Sequence, residues 1–258
     1  MFDWNSKNVV YVGGFGGIGY EVCHILMQRK IKCLVICSRV ENNEMLKKLQ
    51  AECTNVKVMF VHMNLMDRVS IDNAIKQIVG VVRHIDVLIN GAGVLADKNV
   101  ETTIGVNLIG CINTTLACLP YMDKTQMGHG GIVMNVSSVF GIEPAPAFAA
   151  YSAAKHGVIG FTRSMGDDHY YSKTGVCFIC VCPGLTSTEL MINMRENTTE
   201  VHHSRAYADI IAKGKKQNPK ECAVNMVNAM ELMKNGAVYL CDLGQMKEMI
   251  PTVYWQLH

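Results

Sequence analysis

The chain of 258 residues is 49% hydrophobic and 18% charged, with a formal net charge of +2. That composition suits one large domain with a full core and excludes disordered, collagen-like and coiled-coil classes. No basic cluster exceeds Lys213, Lys215 and Lys216, which read as a solvated helix end, so no nucleic-acid partner is expected.

The N-terminal Met-Phe-Asp-Trp-Asn lacks a basic region followed by an apolar stretch, so no secretory signal is expected. No apolar run is read as reaching the roughly 20 residues of a membrane span. Eleven cysteines without a signal read as free thiols and imply a cytoplasmic location. Cys177, Cys180 and Cys182 fall in a strand-like run. Alternation places Cys180 and Cys182 on one face and Cys177 on the other, which favours core thiols over a metal cluster. Seventeen methionines admit two readings: adaptable packing around an apolar pocket, or a storage role in which amino-acid content itself matters.

In chain order, a strand over Asn8–Val12 runs into Gly13-Gly14-Phe15-Gly16-Gly17-Ile18-Gly19, and a helix over Gly19–Gln28 follows. Gly14, Gly16 and Gly19 satisfy GxGxxG between a strand and a helix. That context is the fingerprint of a dinucleotide site, because glycines let the backbone approach a pyrophosphate and the helix N-terminus attracts the anion. A second strand, Cys33–Cys37, ends at Ser38 and Arg39. A carboxylate there would bind a ribose 2′-hydroxyl and repel a 2′-phosphate. Ser38 repels nothing and Arg39 can pair with a phosphate, which leans the cofactor toward NADP over NAD, with Glu41 the one acid nearby. Arg39 as a plain exposed loop residue is the alternative.

A helix over Asn43–Glu52, a strand over Lys57–His62 and a helix over Ser70–Val79 follow. Strand Val87–Asn90 leads into Gly91, Ala92 and Gly93, and a helix is predicted over Asn107–Leu119. Strand Ile132–Val136 ends at Ser137-Ser138. The next helix, Tyr151–Asp167, opens with Tyr151-Ser-Ala-Ala-Lys155, whose i,i+4 spacing sets phenol and ammonium on one helical face. A phenol is a poor base at neutral pH, and a neighbouring ammonium favours its phenolate, which would let Tyr151 exchange a proton with an alcohol or carbonyl oxygen. Strand Val176–Val181 leads to Pro183-Gly184. The polar, mixed stretch 186–218 breaks the rhythm and reads as a substrate loop. Its Asn197-Thr-Thr sequon has no use in a cytosolic chain. Its His202-His203 pair has no partner spacing for zinc, so no metal is expected. A helix over Lys220–Met233 and a strand over Ala237–Leu240 complete the pattern. Seven nearly all-apolar strands alternating with helices imply an α/β fold: a single doubly wound Rossmann domain, 1–258, with a seven-stranded parallel sheet.

On the glycine-rich turn, Asn90-Gly91-Ala92-Gly93, Asn107, Ser137-Ser138, Tyr151/Lys155 and Pro183-Gly184, the chain resembles the short-chain dehydrogenase/reductase family over nearly its whole length. Within it, Asp86-Val-Leu-Ile-Asn-Gly-Ala-Gly93, Val106-Asn107, Asn113-Thr-Thr115, Gly130-Gly-Ile132 and Asn235-Gly-Ala-Val238 are most similar to the insect alcohol dehydrogenase branch and its methionine-rich fat-body relatives. The resemblance implies hydride transfer between NAD or NADP and a small alcohol or carbonyl compound, without a metal. It implies Tyr151 as general acid/base and Lys155 as the group that lowers the Tyr151 pKa and holds the nicotinamide ribose. Ser138 then steadies the substrate oxygen, and Asn107 anchors a water linking Lys155 to solvent. Gly14, Gly16, Gly17, Ile18, Gly19, Ser38, Arg39, Asn64, Gly91, Ala92, Gly93, Pro183, Gly184 and Thr188 would line the cofactor. Insect alcohol dehydrogenases carry aspartates where this chain has Ser38 and Asn64. A homodimer is implied as well, with Trp255 either at its interface or simply packed, as is expected for Trp4. His156, next to Lys155 on the helix, reads as a surface or interface residue. The alternative is a fat-body or developmental protein that keeps the fold with weak or no catalysis.

Overall fold

The computed structural model describes residues 2–192, 194–199 and 203–252. His202 and Trp255 therefore lie outside the described residues. The strands are β1 (Asn8–Val12), β2 (Cys33–Ser38), β3 (Lys57–His62), β4 (Val87–Asn90), β5 (Gly131–Val136), β6 (Val176–Pro183), β7 (Val238–Asp242) and β8 (Gln245–Glu248). The helices are α1 (Gly17–Met27), α2 (Asn43–Glu52), α3 (Arg68–Val82), α4 (Val100–Ile104), α5 (Gly110–Cys118), α6 (Ala149–Met165), α7 (Asp168–Thr174), α8 (Ser204–Ala212) and α9 (Pro219–Leu232). They build one sheet in the order β3-β2-β1-β4-β5-β6-β7-β8. The order reverses between β1 and β4, which opens a crevice at the carboxyl ends of those strands.

Side-chain alternation explains the three layers. In β1, Val9 and Tyr11 join a core with α1, α2 and α9, while Val10 and Val12 join a core with α3 and the end of α5. In β6, Cys177 packs on the first of these faces and Cys180 and Cys182 on the other, as alternation requires. All eleven cysteines are free. Trp4 is buried and its Nε1 donates to Glu231 at 3.0 Å.

Three expectations need correction. The sheet has eight strands, not seven: β8 pairs antiparallel with β7 through a tight turn at Leu243 (φ 48°) and Gly244 (φ 77°). Its sequence, Gln-Met-Lys-Glu, is too polar to announce a strand, because it lies at the sheet edge and only half of it is covered. The helix expected from Asn107 begins earlier, at Val100, and passes through a π-helical turn, Gly105–Ile109, before α5. Run together, Val100–Tyr121 spans 22 residues, with a mean hydropathy of 1.4 over an 18-residue window, so one helical stretch does reach membrane-spanning length and apolarity. Its buried face, including Asn107, Thr114 and Thr115, packs inside the protein.

The segment 186–218 is less irregular than its composition suggests. It contains short 3-10 turns at Glu189–Met191 and Met194–Asn197, followed by α8. Lys213, Lys215 and Lys216 follow the end of α8, as expected of a solvated helix end.

Candidate active site

A cavity of about 770 Å³ lies along the carboxyl ends of β1, β2, β4, β5 and β6. At one end it is lined by Ser38, Arg39 and Asn64; it then passes Gly91–Gly93 and reaches Ser138, Tyr151, Lys155, Pro183 and Gly184. Leu95, Phe140, Met191 and Met194 add an apolar wall beside Tyr151.

At the glycine turn, α1 starts at Gly17, directed at the cavity from its N-terminus. The glycines that the geometry requires differ from the GxGxxG reading. Gly13 has φ +87°, and a Cβ on it would lie 2.6 Å from the Ala92 backbone. A Cβ on Gly17 would lie 2.9 Å from Thr188 Cγ2, and one on Gly19 would lie 2.6 Å from the Gly13 carbonyl. Gly14 instead packs against Cys23 and Ile36 in the core and does not line the cavity, and a Cβ on Gly16 would meet nothing closer than 3.5 Å. The spacing that matters is thus Gly13, Gly17, Gly19. These missing side chains, with the first-turn N–H groups of α1, form a cradle that fits a pyrophosphate. The residues present therefore fit a dinucleotide.

At the β2 end, Ser38 Oγ donates to the Val40 carbonyl and accepts the Val40 N–H at 3.1 Å, so it closes its own turn. Arg39 is exposed at the cavity rim, and among the described residues no carboxylate lies within ion-pair range of it. Asn64 Oδ1 accepts the Met66 N–H at 3.1 Å.

At the other end, Tyr151 is 5% and Lys155 3% exposed, with Lys155 Nζ 5.5 Å from the Tyr151 ring centre. Lys155 Nζ donates to the Val136 carbonyl at 2.9 Å. Burial pushes the Tyr151 phenol up to about 12; its hydrogen bond with Ser138 opposes that shift and the Asp97 charge adds to it. Loss of water around the phenol outweighs the opposing contributions, so in the protein on its own the Tyr151 pKa lies above its ordinary value. Burial also lowers the Lys155 pKa. Ser138, not Ser137, engages Tyr151: Ser137 Oγ donates to the Lys155 carbonyl at 2.8 Å and supports the helix from beneath.

Asn107 is buried in the π turn behind this site. Its Nδ2 donates to the carbonyls of Val94 and Thr103, both at 2.8 Å, and its Oδ1 accepts the Val94 N–H at 3.1 Å. It is a helix-distorting amide, since it takes over the Thr103 carbonyl that an α-helical turn would use. A Cβ on Gly93 would lie 2.8 Å from Asn107 Oδ1 and 3.5 Å from Lys155 Nζ, so Gly93 lets the loop close onto both. His156 is exposed, with Nδ1 2.9 Å from the Ser152 carbonyl.

Two supports escaped the sequence reading. Asp97, 2% exposed, accepts the N–H groups of Ala150 at 2.8 Å and Tyr151 at 3.1 Å, and the Thr199 hydroxyl at 2.9 Å. Thr199 Oγ1 in turn accepts the Ala149 N–H at 2.9 Å. The helix carrying Tyr151 is therefore capped from a distant loop and not by its own Phe148. Asn135 accepts from Asn90 Nδ2 and donates to Thr162 Oγ1, both at 2.9 Å, locking β4, β5 and α6 together beneath the site.

A doubly wound sheet with a phosphate cradle at its switch point and a Ser–Tyr–Lys group further along the same crevice defines an α/β protein of dinucleotide-binding type. A family model described as short chain dehydrogenase matches residues 7–199. The chain belongs to the short chain dehydrogenase family. It is 61% identical over 256 residues to "Development-specific 25 kDa protein" of Sarcophaga peregrina, covering 98% of this chain and 99% of that one. It is 56% identical over 257 residues to "Fat body protein 2" of Drosophila melanogaster, covering 100% of both. It is 43% identical over 251 residues to "Alcohol dehydrogenase 1" of Ceratitis capitata, covering 97% of both. Among solved structures, levodione reductase superposes with a TM-score of 0.77 at 21% identity, covering 93% of this chain and 98% of that one. At that identity the likeness concerns the fold.

Proposed function

We propose that the protein is a nicotinamide-dependent oxidoreductase acting on a small alcohol or carbonyl compound. The observation that carries this reading is the buried Tyr151, hydrogen-bonded to Ser138 and beside Lys155, at the far end of a cavity that starts at a phosphate cradle. Gly13, Gly17, Gly19 and the start of α1 would hold the pyrophosphate; Gly91, Ala92 and Gly93 would flank the ribose, and Pro183, Gly184 and Thr188 the nicotinamide. When bound, the nicotinamide supplies or accepts the hydride. Ser138 and Tyr151 orient the substrate oxygen. With its pKa raised by burial, Tyr151 holds its proton at neutral pH, so it is set to donate that proton to a carbonyl oxygen from Oη. Lys155 Nζ stands 5.5 Å from the Tyr151 ring centre and would hold the nicotinamide ribose. Leu95, Phe140, Met191 and Met194 exclude water and favour an apolar substrate, and segment 186–218 serves as the substrate loop.

Ser38 and the exposed Arg39 support NADP over NAD. Free thiols suit a reducing compartment such as the cytoplasm. Exposed Val100, Ile109 and Leu116 on one helical stretch support a homodimer, which light scattering coupled to size exclusion would test. A second reading has its own support in the relatives at 61% and 56% identity named for development and fat body: a protein that keeps the fold with little turnover. Met63, Met66, Met191 and Met194 line the cavity, which favours adaptable pocket packing for these four.

A thermal-shift titration with NAD, NADH, NADP and NADPH tests the cofactor site. A larger shift with NAD at equal concentration refutes the NADP preference, and no shift with any of the four favours the second reading. Tyr151→Phe should abolish turnover on an alcohol and carbonyl panel while leaving nucleotide binding intact; unchanged turnover in that variant sinks the assignment.

A further inference from the structure

At the opposite edge of the sheet, where the strands begin, the loops leading into β4 and β5 bring His84, Asp86 and His129 together. One ligand-capable atom from each lies within 4.8 Å of those of the other two. We propose that these three residues form a binding site for a borderline divalent transition metal ion of the Zn²⁺ type, remote from the Tyr151 cavity.

The chemistry of the set is two imidazoles and one carboxylate, a combination that binds zinc with water completing a tetrahedron. The distances are compatible with a shared ion. Zinc ligands at about 2.0–2.1 Å from the ion stand about 3.3–3.4 Å apart along a tetrahedral edge. His84 Nε2 and Asp86 Oδ2 are 3.4 Å apart. The rings of His84 and His129 meet edge to face, with centroids 4.3 Å apart. His129 is exposed, so its ring can adjust to close the remaining edge.

The frame beneath the ligands is rigid. His84 and Asp86 lie in the turn that leads into β4, and their side chains meet across it. Asp86 is 5% exposed and is held by its own Oδ2, which accepts the Asn8 N–H at 2.8 Å. Its backbone is bonded on both sides, to the Asn8 carbonyl at 3.0 Å and the Ile132 N–H at 2.9 Å. His129 sits between Gly128, pressed against the Met122 backbone, and Gly130 at φ +81°, whose N–H donates to the Met122 carbonyl at 2.6 Å. Asn8 Nδ2 lies 3.4 Å from His84 Nε2, while its Oδ1 is buried with no partner. Lys7 Nζ stands 3.8 Å from Asp86 Oδ1 and competes with the cation, so the affinity is moderate. Bound metal would tie the two loops and stabilise the fold, since only the folded chain brings the ligands together.

The test uses full-length, tag-free protein stripped with chelator. Zn²⁺ is titrated calorimetrically, and Co²⁺ is added as a spectroscopic probe. One equivalent of Zn²⁺, a higher melting temperature with added Zn²⁺, and the intense visible bands of tetrahedral Co²⁺ without a thiolate charge-transfer band are expected. His129→Ala, a change at an exposed side chain, should weaken binding about tenfold or more, and His84→Gln likewise. Binding weaker than about 1 mM, a thiolate band, or unchanged affinity in His129→Ala would overturn the proposal. Because none of His84, Asp86 and His129 lines the Tyr151 cavity, nucleotide binding should be the same with and without Zn²⁺.

Discussion

Replacing Asp97 by alanine should loosen the helix that carries Tyr151, and the structure sets the size of the effect. Three donors lose their partner: the Ala150 and Tyr151 N–H groups and the Thr199 hydroxyl, at 2.8, 3.1 and 2.9 Å. The buried Tyr151 N–H left unsatisfied costs about 1–3 kcal/mol, the two part-buried donors less because water can reach them, and a carboxylate at a helix N-terminus contributes about 0.3–1 kcal/mol. Removing the carboxylate also relieves the burial that raises its pKa, which places the loss at the low end. Asp97→Ala should therefore cost about 3 kcal/mol and lower the melting temperature by about 6–12 °C for a chain of this size. Asp97→Asn keeps one acceptor and should lose about half as much. Thr199→Val should cost about 1 kcal/mol and couple to Asp97→Ala in a double-mutant cycle. Urea melts followed by circular dichroism measure all of these. A change below about 0.5 kcal/mol in Asp97→Ala refutes the capping argument. The pH dependence has a definite sign. Burial raises the Asp97 pKa above its ordinary 3.8, so the folded state holds this proton more tightly than the unfolded state. That stabilisation is full below pH 3.8 and is lost as pH rises through the folded value. Stability of the parent relative to Asp97→Asn should fall across that window; a rise would contradict burial as the cause.

Arg39→Ala should weaken NADP binding by about tenfold or more with little effect on NAD, and Ser38→Asp should shift preference toward NAD, both read by titration calorimetry. Gly13→Ala forces a side chain into φ +87° and onto the Ala92 backbone; it should destabilise the fold by about 1–3 kcal/mol and abolish nucleotide-induced thermal shifts, whereas Gly16→Ala should do neither. Of the eleven cysteines only Cys53 is not buried, and burial raises the pKa of most others, such as Cys37 to about 12. A native thiol titration should therefore find about one fast-reacting group, and three or more would contradict the core placement.

Strand and helix positions were legible in the sequence because both faces of the sheet are buried. Each of its first seven strands is then a short apolar run, whatever its neighbours. Helix α2 matches its predicted bounds and α6 nearly so, since their apolar spacing is local. The local motifs were legible for the same reason: Tyr151 and Lys155 share a helical face, and a glycine cluster between strand and helix needs no distant partner. What depended on distant partners was not legible. Gly13, not Gly14, bears the backbone demand because Ala92, nearly 80 residues on, presses against it. Asp97 caps α6 across more than 50 residues, and Asn107 ties its helix to the Val94 backbone 13 residues earlier. The phenol of Tyr151 is pushed up by burial, a property of the packed interior that no spacing encodes. The sequence by itself determined the order of elements and the chemical types at the ends of the strands. Only the tertiary structure decided which glycines are indispensable, what holds Tyr151 in place and where its proton rests, because those depend on contacts between residues far apart in the chain and on the water they exclude.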